Sequence, residues 1–213
     1  PDFGGVKYAP SDKLKFSYFG GLTPERNLGL LTDALSRLLK KRPGLSSVLE
    51  VHQYGGEMDK ISQEGFKQLP NSILVPHGRL ETDPVTSKSG RQRVLEQMRK
   101  SDVLILMHGQ GEICQLYLPS KIYEYLWAQR PVLLFSAVPT HWDDILDSSN
   151  HYIIDQTDPI AIDEALNRLV ADWEKAKLFD RPILQAHSVE TAVTLLLKHA
   201  RSFDPKAHQC FPK

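Results

Sequence analysis

Apolar positions along the chain follow two alternating periods. The stretch "LKFSYFGG" reads as a strand closing on two glycines, and "NLGLLTDALSRLLKK" then places Leu28, Leu31, Leu35 and Leu38 on one helical face. The handover repeats. "SSVLEVHQYGG" is a second strand, "MDKISQEGFKQL" a weaker helix and "NSILVPHG" a third strand. After the polar loop "ETDPVTSKSG", "RQRVLEQMRKS" predicts a helix with Val94, Leu95 and Met98 inward. "DVLILMHG" is a fourth strand, its unbroken apolar run suited to burial on both faces. "PSKIYEYLWAQ", "RPVLLFS", "THWDDILDSS" and "HYIID" follow as helix, strand, short helix and strand, with Pro131 at a strand start where its missing N–H is harmless. Two amphipathic helices close the chain, one through Ile162, Leu166, Leu169 and Trp173, the other through Val189, Val193 and Leu197.

Strand and helix alternating over six strands predict an α/β fold, a Rossmann-like, doubly wound, six-stranded parallel sheet with right-handed crossovers. Ligands of such sheets bind beyond the carboxyl ends of the strands, so the loops after the first, third and fourth strands carry the functional weight. The polar lead over residues 1–14, with its Pro and Gly, reads as a linker, residues 15–203 as one domain and residues 204–213 as a tail. With no initiator methionine, the chain is expected to be a fragment of a longer protein.

Composition narrows the function. The 26 basic and 26 acidic residues cancel, which argues against binding nucleic acid through a global positive field. Cys114 and Cys210 lie far apart without metal-ligand spacing, consistent with a reducing compartment. The absence of a bilayer-length apolar run or a secretion signal leads to the expectation of a cytoplasmic protein.

Two places stand out chemically. In "FGGLTPERNLG", Gly20 and Gly21 let the backbone approach a ligand, and N–H groups at the following helix start would form an anion site that Arg26 reinforces. The spacing is not G-x-G-x-x-G, and the alternative is a plain helix start with Thr23 as N-cap and Pro24 as first helical residue. In "LPSKIYEYLWAQRPVLLF", Lys121 falls in the first turn of a helix, where its charge opposes the helix dipole unless an anion is present. Glu124 lies four residues after Ser120, one too many for a capping box, and is placed to accept hydrogen bonds from paired hydroxyls such as those of a ribose. The alternative is a solvated Lys121–Glu124 pair at i,i+3.

That last stretch resembles the segment of group 1 glycosyltransferases with the GT-B fold that reads Pro-x-Lys-x-x-Glu-Tyr-Leu, then a small residue, then Pro-Val. "FSYFGGLTPERN" is similar to the family's phosphate-binding loop, and "RKSDVLILMHG" to its fourth strand. The resemblance spans essentially the whole chain as the carboxyl-terminal, nucleotide-sugar-binding domain. It implies transfer of a sugar from a nucleotide-diphosphate donor to a saccharide or lipid-linked acceptor, in bacterial surface polysaccharide synthesis, at the inner face of the membrane when the acceptor is lipid-linked. It also implies no cofactor and no metal. Glu124 matches the glutamate that holds the donor ribose, and Arg26 the diphosphate-binding basic residue. Lys121 with Leu118, Pro119 and Ser120 matches the element meeting phosphates and sugar. Pro76, His77 and Gly78 fall where the base lies.

The sequence also departs from the pattern. The family's first motif glutamate would fall at Leu116, and the basic residue often following the loop glycine is Gly21, so Glu112 is the candidate to take over a sugar hydroxyl, the favoured alternative being an exposed loop charge. No catalytic acid or base is visible, and the acceptor side is implied to come from a separate amino-terminal domain. His77 and His108 end strands expected to be adjacent, and Asp143 with Asp144 reads as solvated surface. Two other classes share the pattern: the half-domain of a nucleotide-sugar epimerase, and a non-enzymatic doubly wound interaction module.

Overall fold

The computed structural model describes residues 3–109, 117–138, 142, 145–182 and 189–202. Six strands run β1 (Leu14–Phe19), β2 (Leu49–Tyr54), β3 (Leu74–Gly78), β4 (Val103–Met107), β5 (Val132–Ser136) and β6 (Tyr152–Asp155). All pair in parallel, in the order β3-β2-β1-β4-β5-β6. The six helices are α1 (Gly29–Lys41), α2 (Lys60–Lys67), α3 (Gly90–Lys100), α4 (Lys121–Trp127), α5 (Pro159–Glu174) and α6 (Val189–Ser202). The predicted doubly wound sheet is therefore the one found. Its order reverses between β1 and β4, and a crevice opens at such a switch point.

Burial follows the pattern read from the sequence. All five residues of β4 and of β5 are buried, as befits central strands covered on both faces. Leu28, Leu31, Leu35 and Leu38 of the first helical stretch join Phe16, Val51 and the α5 residues Ile162, Leu166 and Leu169 in one core. Helix α1 packs on α2 and α5, and Arg37 ties it to Asp163 at 2.8 Å. Alternation along β2 sends Tyr54 to the face opposite Val51, where its hydroxyl reaches Gln97 of α3 at 3.3 Å.

Several expectations are corrected. Thr23 and Pro24 do not start α1. They form a tight turn closed by a Thr23–Arg26 bridge, and the helix begins at Gly29 with no side-chain cap. A 3-10 turn, Pro43–Ser47, intervenes unpredicted before β2. His77 and His108 do not end adjacent strands, because β2 and β1 lie between β3 and β4. Residues 139–141, 143 and 144 lie outside the description, so the short helix predicted over "THWDDILDSS", His141, Asp143 and Asp144 are left with it. The chain divides into two compact units, residues 1–181 and 182–213. Helix α6 belongs to the second, and its predicted inward residues Val193 and Leu197 are 46% and 51% exposed. Among the described residues, no helix is long and apolar enough to cross a membrane.

Candidate functional site

The loop tips of the first three strands are laced to one another. The Gly20 N–H donates to the Tyr54 carbonyl at 2.8 Å, and the Gly55 N–H to that of Gly78 at 2.9 Å. Gly20 and Gly55 hold φ of 132° and 145°, values L side chains rarely adopt, and a Cβ on Gly55 would strike the Gly20 carbonyl. Gly20 and Gly55 thus serve close backbone packing at the carboxyl edge of the sheet, whereas a Cβ on Gly21 would meet nothing within 4 Å. Tyr18, buried, donates to the Gly21 carbonyl at 2.9 Å, and burial pushes its phenol up to about 12.

Two neighbouring cavities with shared lining residues open over this edge. A pocket of about 180 Å³ is lined by Gly20, Gly21, Arg26, Pro119 and Lys121 together with the β4 end at Met107. A cleft of about 400 Å³ shares Phe19, Gly20 and Lys121 with it and extends past Glu124 to Arg91 and the segment Arg79–Thr82. Five sequence-predicted residues thus meet around the small pocket, and a sixth, Glu124, stands in the adjoining cleft. Two roomier apolar grooves, about 800 and 730 Å³, lie along α2 and β3 and between Tyr8 and Trp173. Volume alone does not make a site, and cations converge at the smaller pair.

Lys121 is the first residue of α4, as predicted, and its ammonium donates to the Phe19 carbonyl at the end of β1. Burial lowers its pKa; Glu124 opposes the shift, while Arg91 and Arg26 reinforce it. A half-buried ammonium of this kind gains more from an incoming anion than a fully hydrated one. Arg26 is exposed and has no ion-pair partner among the described residues. At the α1 start, the Leu28 and Gly29 N–H groups are already bonded to Ser62 Oγ at 2.8 Å and Asn27 Oδ1 at 2.9 Å.

Glu124 does not pair with Lys121 along its helix. Its Oε1 accepts instead from Arg91 Nη2 of α3 at 2.7 Å. Arg91 and Arg79 are cleft residues that sequence reasoning missed. A signal for Arg91 existed, since it stands in a helix first turn that contains no acidic residue, the same anomaly that marked Lys121.

The remaining candidates disperse. His77 does not itself line the cleft but stacks at 4.2 Å on Tyr54, which does, and its Nε2 lies 2.8 Å from His52 Nδ1. Gly78 lines the α2 groove, while Arg79–Thr82 line the cleft. His108 is buried, with Nε2 at 3.0 Å from the Tyr117 carbonyl and its ring edge-on to Trp142. Leu118 and Ser120 flank Pro119 without lining either cavity. Glu112, Leu116 and Cys114 lie outside the described residues, as does Cys210.

No protein-family model and no curated protein matches the sequence. Solved structures do match by shape. S. aureus TarM, crystallised as a point mutant in complex with fondaparinux, alpha-GlcNAc-glycerol and UDP, superposes with a TM-score of 0.62 at 16% identity, over 93% of this chain and 37% of that one. The carboxyl-terminal domain of LpcC, a group 1 glycosyl transferase family protein from Francisella tularensis, gives 0.56 at 14% identity and covers 84% of this chain and 91% of the domain. A UDP-forming trehalose-phosphate synthase from Burkholderia vietnamiensis gives 0.54 at 11% identity, over 90% of this chain and 46% of that one. The chain thus spans less than half of the full-length proteins and nearly all of the isolated domain. Its six-stranded parallel sheet and flanking helices have the fold of one half of a GT-B glycosyltransferase.

Proposed function

We propose that this chain is the donor-binding unit of a nucleotide-sugar-dependent glycosyltransferase. One observation carries the reading. The small cationic pocket of Gly20, Gly21, Arg26 and Lys121 shares Phe19, Gly20 and Lys121 with a cleft that presents the Glu124 carboxylate, so cations and a carboxylate stand side by side as a diphosphate joined to a ribose requires. The diphosphate sits against the Gly20–Gly21 backbone between Arg26 and Lys121. The ribose hydroxyls donate to Glu124, and the base lies along Arg79–Thr82. TarM, which shares the fold, was crystallised with UDP.

Transfer breaks the bond between the sugar C1 and the diphosphate oxygen while an acceptor hydroxyl oxygen bonds to C1; the electron pair leaves on the diphosphate, and the hydroxyl proton passes to it or to solvent. Arg26 and Lys121 stabilise the growing negative charge, so their contribution is greatest in the transition state. We read the transfer as metal-independent on that ground: the counter-charge comes from side chains. The acceptor, a saccharide or a lipid-linked saccharide of bacterial surface polysaccharide synthesis, is met by an amino-terminal domain of a longer chain. The present residues alone then bind donor but turn it over little or not at all.

Calorimetric titration with a panel of nucleoside diphosphates tests the reading. One member is expected to bind, and Glu124→Ala to weaken it about tenfold, as for loss of a charge-assisted hydrogen bond. A folded sample that binds none of them would discard the donor site in favour of an interaction module. Product analysis with a complete chain separates transfer from epimerisation.

A further inference from the structure

Arg91 stands where its charge works against its own helix. It is the second residue of α3, in a first turn without acidic residues, where the backbone N–H groups already concentrate positive potential. Compensation comes from another element, through the 2.7 Å contact of Nη2 with Glu124 Oε1 on α4. Both ends of this contact are held in place. Ser89 caps α3 by accepting from the Gln92 N–H at 3.1 Å. Gly90 packs so closely under the preceding loop that a Cβ there would collide with the Leu80 carbonyl. Glu124 rides on a helix whose Ile122 and Tyr125 are fully buried.

The pair is half open to solvent, with side chains 57% and 27% exposed, and such pairs add little to stability. Its placement matters more, since both partners line the donor cleft. Among the described residues, Oε2 of Glu124 has no hydrogen-bond partner, so the arginine engages one oxygen and leaves the other for a ligand.

We infer that Arg91 is a positioning residue for the donor ribose: by holding Oε1 of Glu124 it fixes the carboxylate so that Oε2 accepts from the vicinal 2′ and 3′ hydroxyls of a nucleoside diphosphate. This rests on the donor-site reading above. Without the guanidinium, the carboxylate is free to turn among rotamers, Lys121 competes for it electrostatically, and discrimination of hydroxyls falls while phosphate binding persists.

The test compares wild type, Arg91→Ala and Arg91→Lys, each titrated with the nucleoside diphosphate that binds wild type best and with its 2′,3′-dideoxy analogue. Urea midpoints of all three proteins are taken alongside. Wild type is expected to favour the ribo form by about tenfold or more. Arg91→Ala should weaken the ribo form about tenfold and the dideoxy form less than about twofold, so that the preference collapses, and Arg91→Lys should restore part of it. Equal losses on both ligands, or no loss on either, would overturn the positioning role while leaving the donor site standing. If wild type binds no nucleoside diphosphate, the donor-site reading fails and this inference falls with it.

Discussion

Arg130, just before β5, and Arg26, in the loop after β1, sit at opposite ends of one parallel sheet. At the amino end the cation is consumed. Arg130 is fully buried and donates to the carbonyls of Ser101 and Leu178 at 2.8 and 2.7 Å and to Asp180 at 3.0 Å. It also lies 3.3 Å above the Tyr8 ring, and the Tyr8 hydroxyl in turn donates to buried Asp102. Arg99 completes the cluster through Asp180 and the Ala128 carbonyl. Desolvation lowers the pKa of Arg130, and the carboxylates of Asp180 and Asp102 work against that shift. Every group is answered, which is how a buried charge is tolerated at all. At the carboxyl end Arg26, Lys121, Arg79 and Arg91 surround open space, and Arg26 has no ion-pair partner among the described residues. The same side-chain chemistry staples the chain at one end and lines solvent-open cavities at the other.

The comparison breaks most easily at the amino end. Arg130→Met leaves three carbonyls and Asp180 short of a donor and is expected to cost about 3–5 kcal/mol, read as a drop in the urea midpoint. Nucleoside diphosphate affinity of the fraction that remains folded should not change. A variant that keeps its stability would show the network to be incidental.

A second effect of similar kind depends on pH. His151, buried before β6, accepts from the Val132 N–H at 3.2 Å through Nδ1, and its pKa is lowered to about 4, chiefly by burial and then by Arg181, with Asp147 opposing. The folded value lies below the unfolded one, near 6.5. Stability is therefore intact above pH 6.5 and declines as pH falls from there towards 4, by roughly 3 kcal/mol in all. His151→Asn keeps an acceptor and cannot titrate, so its denaturation midpoints should flatten over that range. An unchanged slope would assign the acid sensitivity elsewhere.

The smallest effect on stability, and the sharpest on binding, belongs to the carboxyl end. Arg26→Ala should shift stability by less than about 0.5 kcal/mol, as for other surface substitutions. Nucleoside diphosphate affinity should fall about tenfold or more, as for a lost charge-assisted hydrogen bond, with the loss shrinking as salt rises. Equal affinity for wild type and variant would leave the small pocket without its anion.

Legibility in the sequence followed the range of the interactions. The α/β alternation and the helical faces of α1 and α5 were readable because periodicity is a local property, set by residues three or four apart. Gly20 and Gly21, Arg26, Lys121 and Glu124 were readable because the anomaly of each lies within its own turn or first helical turn. Thr23 misled for the same reason. A Thr-Pro pair carries the local signal of a helix start, yet a bridge from Thr23 to Arg26 closes it into a turn ahead of the helix. Arg130 lay in plain view beside Pro131 and attracted no notice, since its hydrogen-bond partners are 28 to 50 positions away and no local pattern betrays them.

By itself, then, the amino-acid sequence determined the order of strands and helices, the glycine-bearing ends of the strands and the placing of an ammonium and a carboxylate within the first turn of α4. These depend on backbone preference and on residues within a turn of one another. Only the tertiary structure decided that Glu124 would answer Arg91 of α3, 33 residues away, rather than Lys121 beside it. It alone set Arg79–Thr82 rather than His77 and Gly78 along the cleft, and it alone chose which cations would be buried and which left open. A charge has no fixed meaning along the chain, because its energy is set by the dielectric and the partners that folding brings to it.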